Sequence, residues 1–205
     1  MRKLIAQTVV SIDGYFEGPN RMIDWHLVDR DYSEYAAALL RSADTILFGR
    51  TTYELMAGYW PTPEAHSRDP AIAKWMNEHQ KIVFSRTLER ADWQNTRIVR
   101  SGIADEIQTL KRQPGKDLVI LGSGTLVSEL TKRGLIDEYQ LMVNPVVLGQ
   151  GNPLLFKDKI PNLTRLGIFM LMVNAWGVEP QKNYPGQSFC AIFKLEGRRA
   201  LCINP

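Results

Sequence analysis

Residues 118–130 read LVILGSGTLVSEL. Leu118 to Leu121 form a short apolar run, the pattern of a buried strand, and from Thr125 to Arg133 apolar residues return at helical spacing. Gly134 then stands where a helix ends. Between strand and helix lies Gly122-Ser123-Gly124-Thr125. A backbone this bare, opening a helix, lets N–H groups approach a phosphate. The dinucleotide signature G-x-G-x-x-G is not met, because Val127 stands where the third glycine would be. The same glycines can also serve only as a tight turn.

Outward from this corner, strand and helix patterns alternate along the chain. Residues 4–12, 45–48, 81–84, 97–100 and 138–143 read as further strands, and 51–57, 71–79 and 103–112 as further helices. Asp31-Tyr-Ser-Glu34 is similar to a capping box, followed by Tyr32, Tyr35, Ala36, Leu39, Leu40 and Ala43 at helical spacing. The alternation predicts a three-layer α/β/α domain on a mainly parallel sheet. Ligands of such sheets bind at the carboxyl ends of the strands.

Composition excludes several classes. The chain has 205 residues, 44% hydrophobic and 23% charged, with interspersed charges summing to +3. No basic run points to nucleic acid or an anionic membrane. The longest apolar run, residues 166–173, is too short to span a bilayer, and the N-terminus reads as a first strand. Cys190 and Cys202 make no disulfide framework, and His26, His66 and His79 have no metal-ligand spacing. The expectation is a single cytoplasmic domain with no metal, no nucleic-acid partner and no membrane. No zinc-binding deaminase pattern precedes the strands, so a reductase part alone is expected.

Three predicted strand ends carry suggestive residues: Gly49-Arg50-Thr51, Ser85-Arg86 and the Gly122 corner. Arg50 in a first helical turn opposes the helix dipole, a conflict that a bound anion relieves. Ser85-Arg86 can be a plain solvated loop, yet a hydroxyl and a guanidinium together also suit a 2′-phosphate, favouring NADPH over NADH. One extended dinucleotide fits all three ends.

These residues resemble the dihydrofolate reductase-like superfamily, and within it the reductase domain of riboflavin-biosynthesis deaminase/reductases with its stand-alone bacterial relatives. The resemblance rests on Ser11-Ile-Asp13-Gly14, Ile46-Leu-Phe-Gly49-Arg50-Thr51-Thr52-Tyr53-Glu54, Lys81-Ile-Val-Phe-Ser85-Arg86-Thr87-Leu88, Gly122-Ser-Gly-Thr-Leu126, and the run from Leu135 to Leu154 through Gly149-Gln-Gly151. It covers about residues 1–156, and implies an antiparallel C-terminal part with residues 166–173 and 188–195 as its strands. It also implies NADPH on Gly49, Arg50, Thr51 and Thr52, on Gly122, Ser123, Gly124, Thr125 and Leu126, and on Ser85 and Arg86 beside the 2′-phosphate. The glycine loop of this family is not the Rossmann fingerprint, so a third glycine is not required.

On the substrate side the resemblance points to Asp13 as catalytic residue and proton donor, against its alternative as a turn former before Gly14. Asp24, Trp25, Asp29 and Tyr53 are candidate substrate contacts, with Asp29 or Asp31 alternatively a helix N-cap. Arg30 aligns where folate reductases carry an acid, which argues against folate reduction. The expected reaction is hydride transfer to a carbonyl or imine carbon of a pteridine-like or ribosylaminopyrimidine substrate. The alternative is a nucleotide-binding sensor of the same fold without turnover. Residues 166–173, LGIFMLMV, carry no charge and no clean alternation, which predicts a homodimer built near this segment.

Overall fold

Ile46, Leu47 and Phe48 are all fully buried, yet they belong to two separate cores. Successive side chains of a strand point to opposite faces, so a strand apolar on both faces must be covered on both. Ile46 and Phe48 face one helical layer, and Leu47 faces the other. The same split sends Val119 one way and Leu118 and Ile120 the other.

The structure, a computed structural model, describes residues 1–153, 168–172 and 193–194. In chain order the elements are β1 (Leu4–Ser11), β2 (Tyr15–Glu17), a 3-10 turn (Pro19–Arg21), α1 (Arg30–Ser42), β3 (Ala43–Gly49), α2 (Arg50–Tyr59), α3 (Pro63–Arg68) and α4 (Pro70–Glu78). There follow β4 (Gln80–Phe84), β5 (Thr96–Val99), α5 (Ile103–Arg112), β6 (Asp117–Leu121), α6 (Gly124–Lys132), β7 (Glu138–Asn144), β8 (Asn152–Pro153), β9 (Ile168–Met172) and β10 (Phe193–Lys194). The main sheet has the order β10-β9-β7-β1-β6-β3-β4-β5. Every described neighbour pair in it is parallel except β9 with β10.

Helices α1, α2 and α4 pack on one face through Leu39, Leu40, Tyr53, Ile72 and Met76, and α5 and α6 on the other through Ile107, Leu110, Leu126, Val127 and Leu130. This is the expected three-layer, dihydrofolate reductase-like arrangement. From β1 the chain moves outward to β3, β4 and β5, then returns to insert β6 beside β1 and to place β7 on its far side. The reversal leaves a crevice at the carboxyl ends of β1, β3 and β6.

Local chemistry fixes the helix ends. Asp29, not Asp31, caps α1: its carboxylate accepts the Tyr32 N–H at 2.8 Å. Asp31 sits inside the first turn, and Glu34 pairs with Arg30 instead of closing a capping box. Helix α3 escaped the sequence reading, although Thr62 caps it by accepting from Ala65 N and Pro63 begins it. The end of α4 is held by fully buried Lys81, whose Nζ donates to the carbonyls of Met76, Asn77 and His79 at 3.0, 3.1 and 2.8 Å. Its ammonium lies 4.6 Å from the Trp93 ring centre.

Two differences concern strands. The β2–β8 ribbon forms a separate antiparallel sheet of its own, too short to show any period in sequence. Residues 168–172 form β9, with β7 on one side and β10 on the other, so this strand is no bare edge. Cys190, Cys202 and most of the expected strand 188–195 lie outside the described residues.

The α1 cap yields a test of Asp29 as a substrate contact. Asp29→Ala should lower stability by about 1 kcal/mol in urea unfolding, the usual cost of a lost carboxylate cap, while substrate and cofactor affinity stay within about twofold. A variant of unchanged stability that loses ligand affinity would return Asp29 to the binding site.

Candidate active site

The Gly122-Ser123-Gly124-Thr125 corner is strained in the fold. Gly122 and Ser123 are consecutive left-handed residues, with φ of 62° and 56°. A left-handed serine is uncommon, and here a hydrogen bond supports it: Ser123 Oγ accepts the Gly49 N–H at 3.0 Å. The carboxyl ends of β3 and β6 are thereby tied together. The Gly49 N–H is engaged by the protein itself, so a phosphate at this corner depends on the next amides of α2. Helix α6 begins directly after Ser123, and Val127 N donates to Ser123 O at 3.0 Å. The first-turn amides at 124–126 point outward without intrahelical acceptors, the usual anion-binding arrangement.

Gly49 has an ordinary φ of −82°, and a Cβ there would meet only Ser123, at 3.9 Å. Neither backbone conformation nor internal packing requires glycine at this position. Helix α2 carries no acid in its first turn, and Arg50 stands half-exposed, 3.9 Å from Glu54 Oε1. At the third strand end, Ser85 Oγ accepts from the Thr87 and Leu88 amides at 3.2 and 3.0 Å, leaving its O–H to donate, and Arg86 is exposed. Leu126 is a core residue, so its side chain faces away from any ligand.

A cavity of about 330 Å³ opens beside these corners. Thr51, Thr52, Gly122 and Ser123 line it, and Gln7, His26, Tyr32 and Met56 are among its other walls. Three lining residues hold buried polar atoms without a partner: Gln7 Nε2, Thr8 Oγ1 and His26 Nε2. Gln7 and Thr8 are 6% and 2% exposed. Buried polar atoms are nearly always paired, so such atoms in residues lining a cavity can bond there to water or to a ligand. The sequence reading missed Gln7 and Thr8, although both are polar residues inside an otherwise apolar buried strand.

His26 packs edge-on against Trp25, ring centres 4.4 Å apart. Burial lowers its pKa to about 4, against the opposing pull of the Phe16 backbone and the Asp24 charge. The imidazole is therefore neutral at physiological pH. Its Nε2 is buried without a protein partner.

The four expected substrate contacts do not line this cavity. Asp24 is exposed, and Asp29 caps α1. Trp25 packs with Val9 and Met142 and donates to Met22 O at 3.2 Å. Tyr53 is buried among Phe48 and Trp93, its hydroxyl accepting the Trp93 N–H. Asp13 is exposed at the β1–β2 turn, and its carboxylate accepts the Leu148 and Gly149 amides at 3.2 and 2.7 Å. Slight desolvation raises its pKa, but bonds from Ser11, Gly149 and Leu148 together hold it below the usual carboxylate value. Such a carboxylate pins a turn and makes a poor proton donor. Among the described residues no cluster of three or more His, Cys, Asp or Glu is placed to hold a metal, and no helix is long and apolar enough to cross a membrane.

The profile of the RibD C-terminal domain matches residues 2–170. The chain belongs to the RibD C-terminal domain family. Two relatives of this RibD C-terminal domain come from Bacillus subtilis (strain 168), and both are uncharacterised. YyaP is 35% identical over 158 residues, spanning 77% of this chain and 82% of its own. YwjB is 28% identical over 170 residues, spanning 80% and 88%. A crystal structure of a Shewanella sp. PV-4 protein, named for riboflavin biosynthesis, superposes with a TM-score of 0.57 at 22% identity, over 78% of this chain and 85% of that one. That likeness shows the fold.

A neutral buried histidine has a signature in pH. The folded state binds fewer protons than the unfolded state between pH of about 4 and 6.5, so His26 makes stability rise with pH across that window and lowers it toward the acid end. The wild type should lose at most about 3 kcal/mol from this source between pH 7 and 4. His26→Phe should flatten the slope in urea unfolding at pH 7 and 4.5; an unchanged slope would mean that His26 is not held neutral.

Proposed function

We propose that this RibD C-terminal domain is an NADPH-dependent reductase of a small heterocyclic substrate. The observation that carries the reading is one cavity lined both by the strand-end corners at Thr51-Thr52 and Gly122-Ser123 and by Gln7, Thr8 and His26, whose buried polar atoms lack protein partners. The residues fit the cofactor: a left-handed nest, free first-turn amides, an open glycine and an exposed arginine lie along neighbouring strand ends. NADPH would supply a hydride to a carbonyl or imine carbon of the substrate. The first-turn amides of α6 and α2 hold the pyrophosphate, Arg50 adds its charge, and Ser85 and Arg86 receive the 2′-phosphate. Gln7 and His26 orient the substrate ring, and the apolar walls exclude water. The proton that completes the reduction does not come from Asp13, whose carboxylate stays ionised.

Riboflavin biosynthesis is the metabolic setting that the family suggests, with a pteridine-like or ribosylaminopyrimidine compound as substrate. A nucleotide-binding protein without turnover is the second reading, favoured by the engagement of Asp13 with a turn. Following NADPH oxidation at 340 nm across pteridines and aminopyrimidines separates the two. Arg86→Ala should weaken NADPH by about 1.5–3 kcal/mol and leave NADH nearly untouched. Gly49→Ala should melt like the wild type, yet bind both cofactors more weakly by about 1–3 kcal/mol, the typical cost of one inserted methyl in a packed contact. Nicotinamide fluorescence titration reads both, and equal affinity in all three proteins would end the cofactor assignment.

The uncharged run of residues 166–173 supports a homodimer as the working assembly. Sedimentation velocity at micromolar concentration should show a dimer that Phe169→Glu dissociates; a stable wild-type monomer would defeat this.

A further inference from the structure

Arginines cluster on β5 and on the connections that flank it: Arg86, Arg90, Arg97 and Arg100. Arg90 pairs with Asp92 at 2.7 Å, and Arg97 pairs with Glu106. Arg86 and Arg100 are both exposed, and among the described residues neither has a carboxylate within ion-pair distance. These two are instead joined through the backbone. The Arg100 guanidinium donates from Nη2 to Glu89 O at 3.2 Å and from Nη1 to Arg86 O at 3.5 Å. The second contact is at the long end of the hydrogen-bond range, yet a planar fork suits two carbonyls at once.

The connection from β4 to β5 has no regular structure between Ser85 and Thr96. Its first residues are held from two sides. Ser85 N donates to Val99 O at 3.1 Å, which fixes where the connection starts. Ser85 Oγ accepts the Thr87 and Leu88 amides, which turns the chain. Those bonds occupy N–H groups, and Arg100 takes carbonyls of the same turn. Among the described residues no other side chain bonds the backbone from Arg86 to Ala91. Arg100 is well placed for this task, because it follows Val99, which pairs with Phe84 just before Ser85. A guanidinium on a loosely held stem loses more conformational freedom when it binds an anion, which weakens the contact.

Resting on the reductase reading, which puts the 2′-phosphate of the cofactor at Ser85 and Arg86, we propose that Arg100 is a positioning residue for NADPH selection. It brackets the turn from Arg86 to Glu89 and holds the Arg86 guanidinium where a phosphate monoester can meet it. Selection against the unphosphorylated cofactor then depends on two neighbouring strand ends and not on Arg86 alone.

The test compares the full-length wild type with Arg100→Met, Arg100→Lys and Arg86→Ala. Nicotinamide fluorescence gives the affinities for NADPH and NADH, and hydrogen exchange on cofactor-free protein follows the Thr87 and Leu88 amides. Arg100→Met should bind NADPH about three- to tenfold more weakly and NADH within about twofold of the wild type. The two amides should exchange faster in this variant even without cofactor, because the turn has lost its bracket. Arg100→Lys keeps donors for the carbonyls and should recover most of both effects. Arg100 is exposed, so its substitution leaves the core intact. An unchanged NADPH preference in Arg100→Met overturns the proposal. So does an equal loss for both cofactors, the mark of a merely structural role. Weaker NADPH binding with unchanged exchange also overturns it, since the guanidinium would then act by charge alone. The reductase reading fails separately: a wild type without NADPH preference, or an Arg86→Ala variant that keeps it, removes the phosphate corner and the Arg100 role together. Loss of the preference in Arg86→Ala alone leaves that reading standing and defeats only the role of Arg100.

Discussion

The bond from the Gly49 amide to the Ser123 hydroxyl is the constraint on which the site depends. Strands β3 and β6 are neighbours in the sheet, and each ends in a helix start. Tying those ends together sets the distance between two groups of outward-pointing amides before any ligand arrives. The cost is a serine in left-handed conformation, a strain of the order of 1 kcal/mol that the surrounding structure holds in place. Ser123 thus works as a positioning residue: it gives up the Gly49 amide to hold the remaining ones.

The same end of the sheet combines two opposed environments. Exposed Arg50 and Arg86 and bare amides favour an anion at the rim. Within a short distance the walls become largely apolar, with Glu17 and Arg21 as the charged residues among the described walls and His26 held neutral by burial. Under the proposed function a dinucleotide would place its phosphates in the first zone and its reacting ring in the second.

The sheet and its helices were legible because two-sided burial leaves continuous apolar strands, as in Ile46-Leu-Phe48, between segments of helical period. The strand-to-helix corners at Gly49 and Gly122 were legible through their glycines. The substrate side was not. Asp24, Trp25 and Tyr53 are chemically suggestive residues near the right strands, but direction decides their roles, and direction is a tertiary property. Gln7 was visible as a polar break in an apolar strand, yet only the arrangement of α1 and α2 around it shows a cavity there. Asp29 and Asp31 both lie at the start of α1, and the capping-box pattern at Asp31-Tyr-Ser-Glu34 pointed to Asp31, whereas Asp29 is the cap. Thr62-Pro63-Glu64 is a readable helix start that the flanking Pro61 and Pro63 disguise as a loop.

The central strand has a consequence for how the chain reaches this state. Leu4 pairs with Leu118, and Ile5 pairs with Glu138, so both ladder partners of β1 arrive more than a hundred residues after it. Closing such long loops delays the central pairings. During synthesis β3, β4 and β5 can assemble with their helices while β1 still waits with two open edges. Insertion of β6 is therefore the step that commits the nascent chain, and until the ribosome has released it, β1 is the segment most in need of protection from wrong partners.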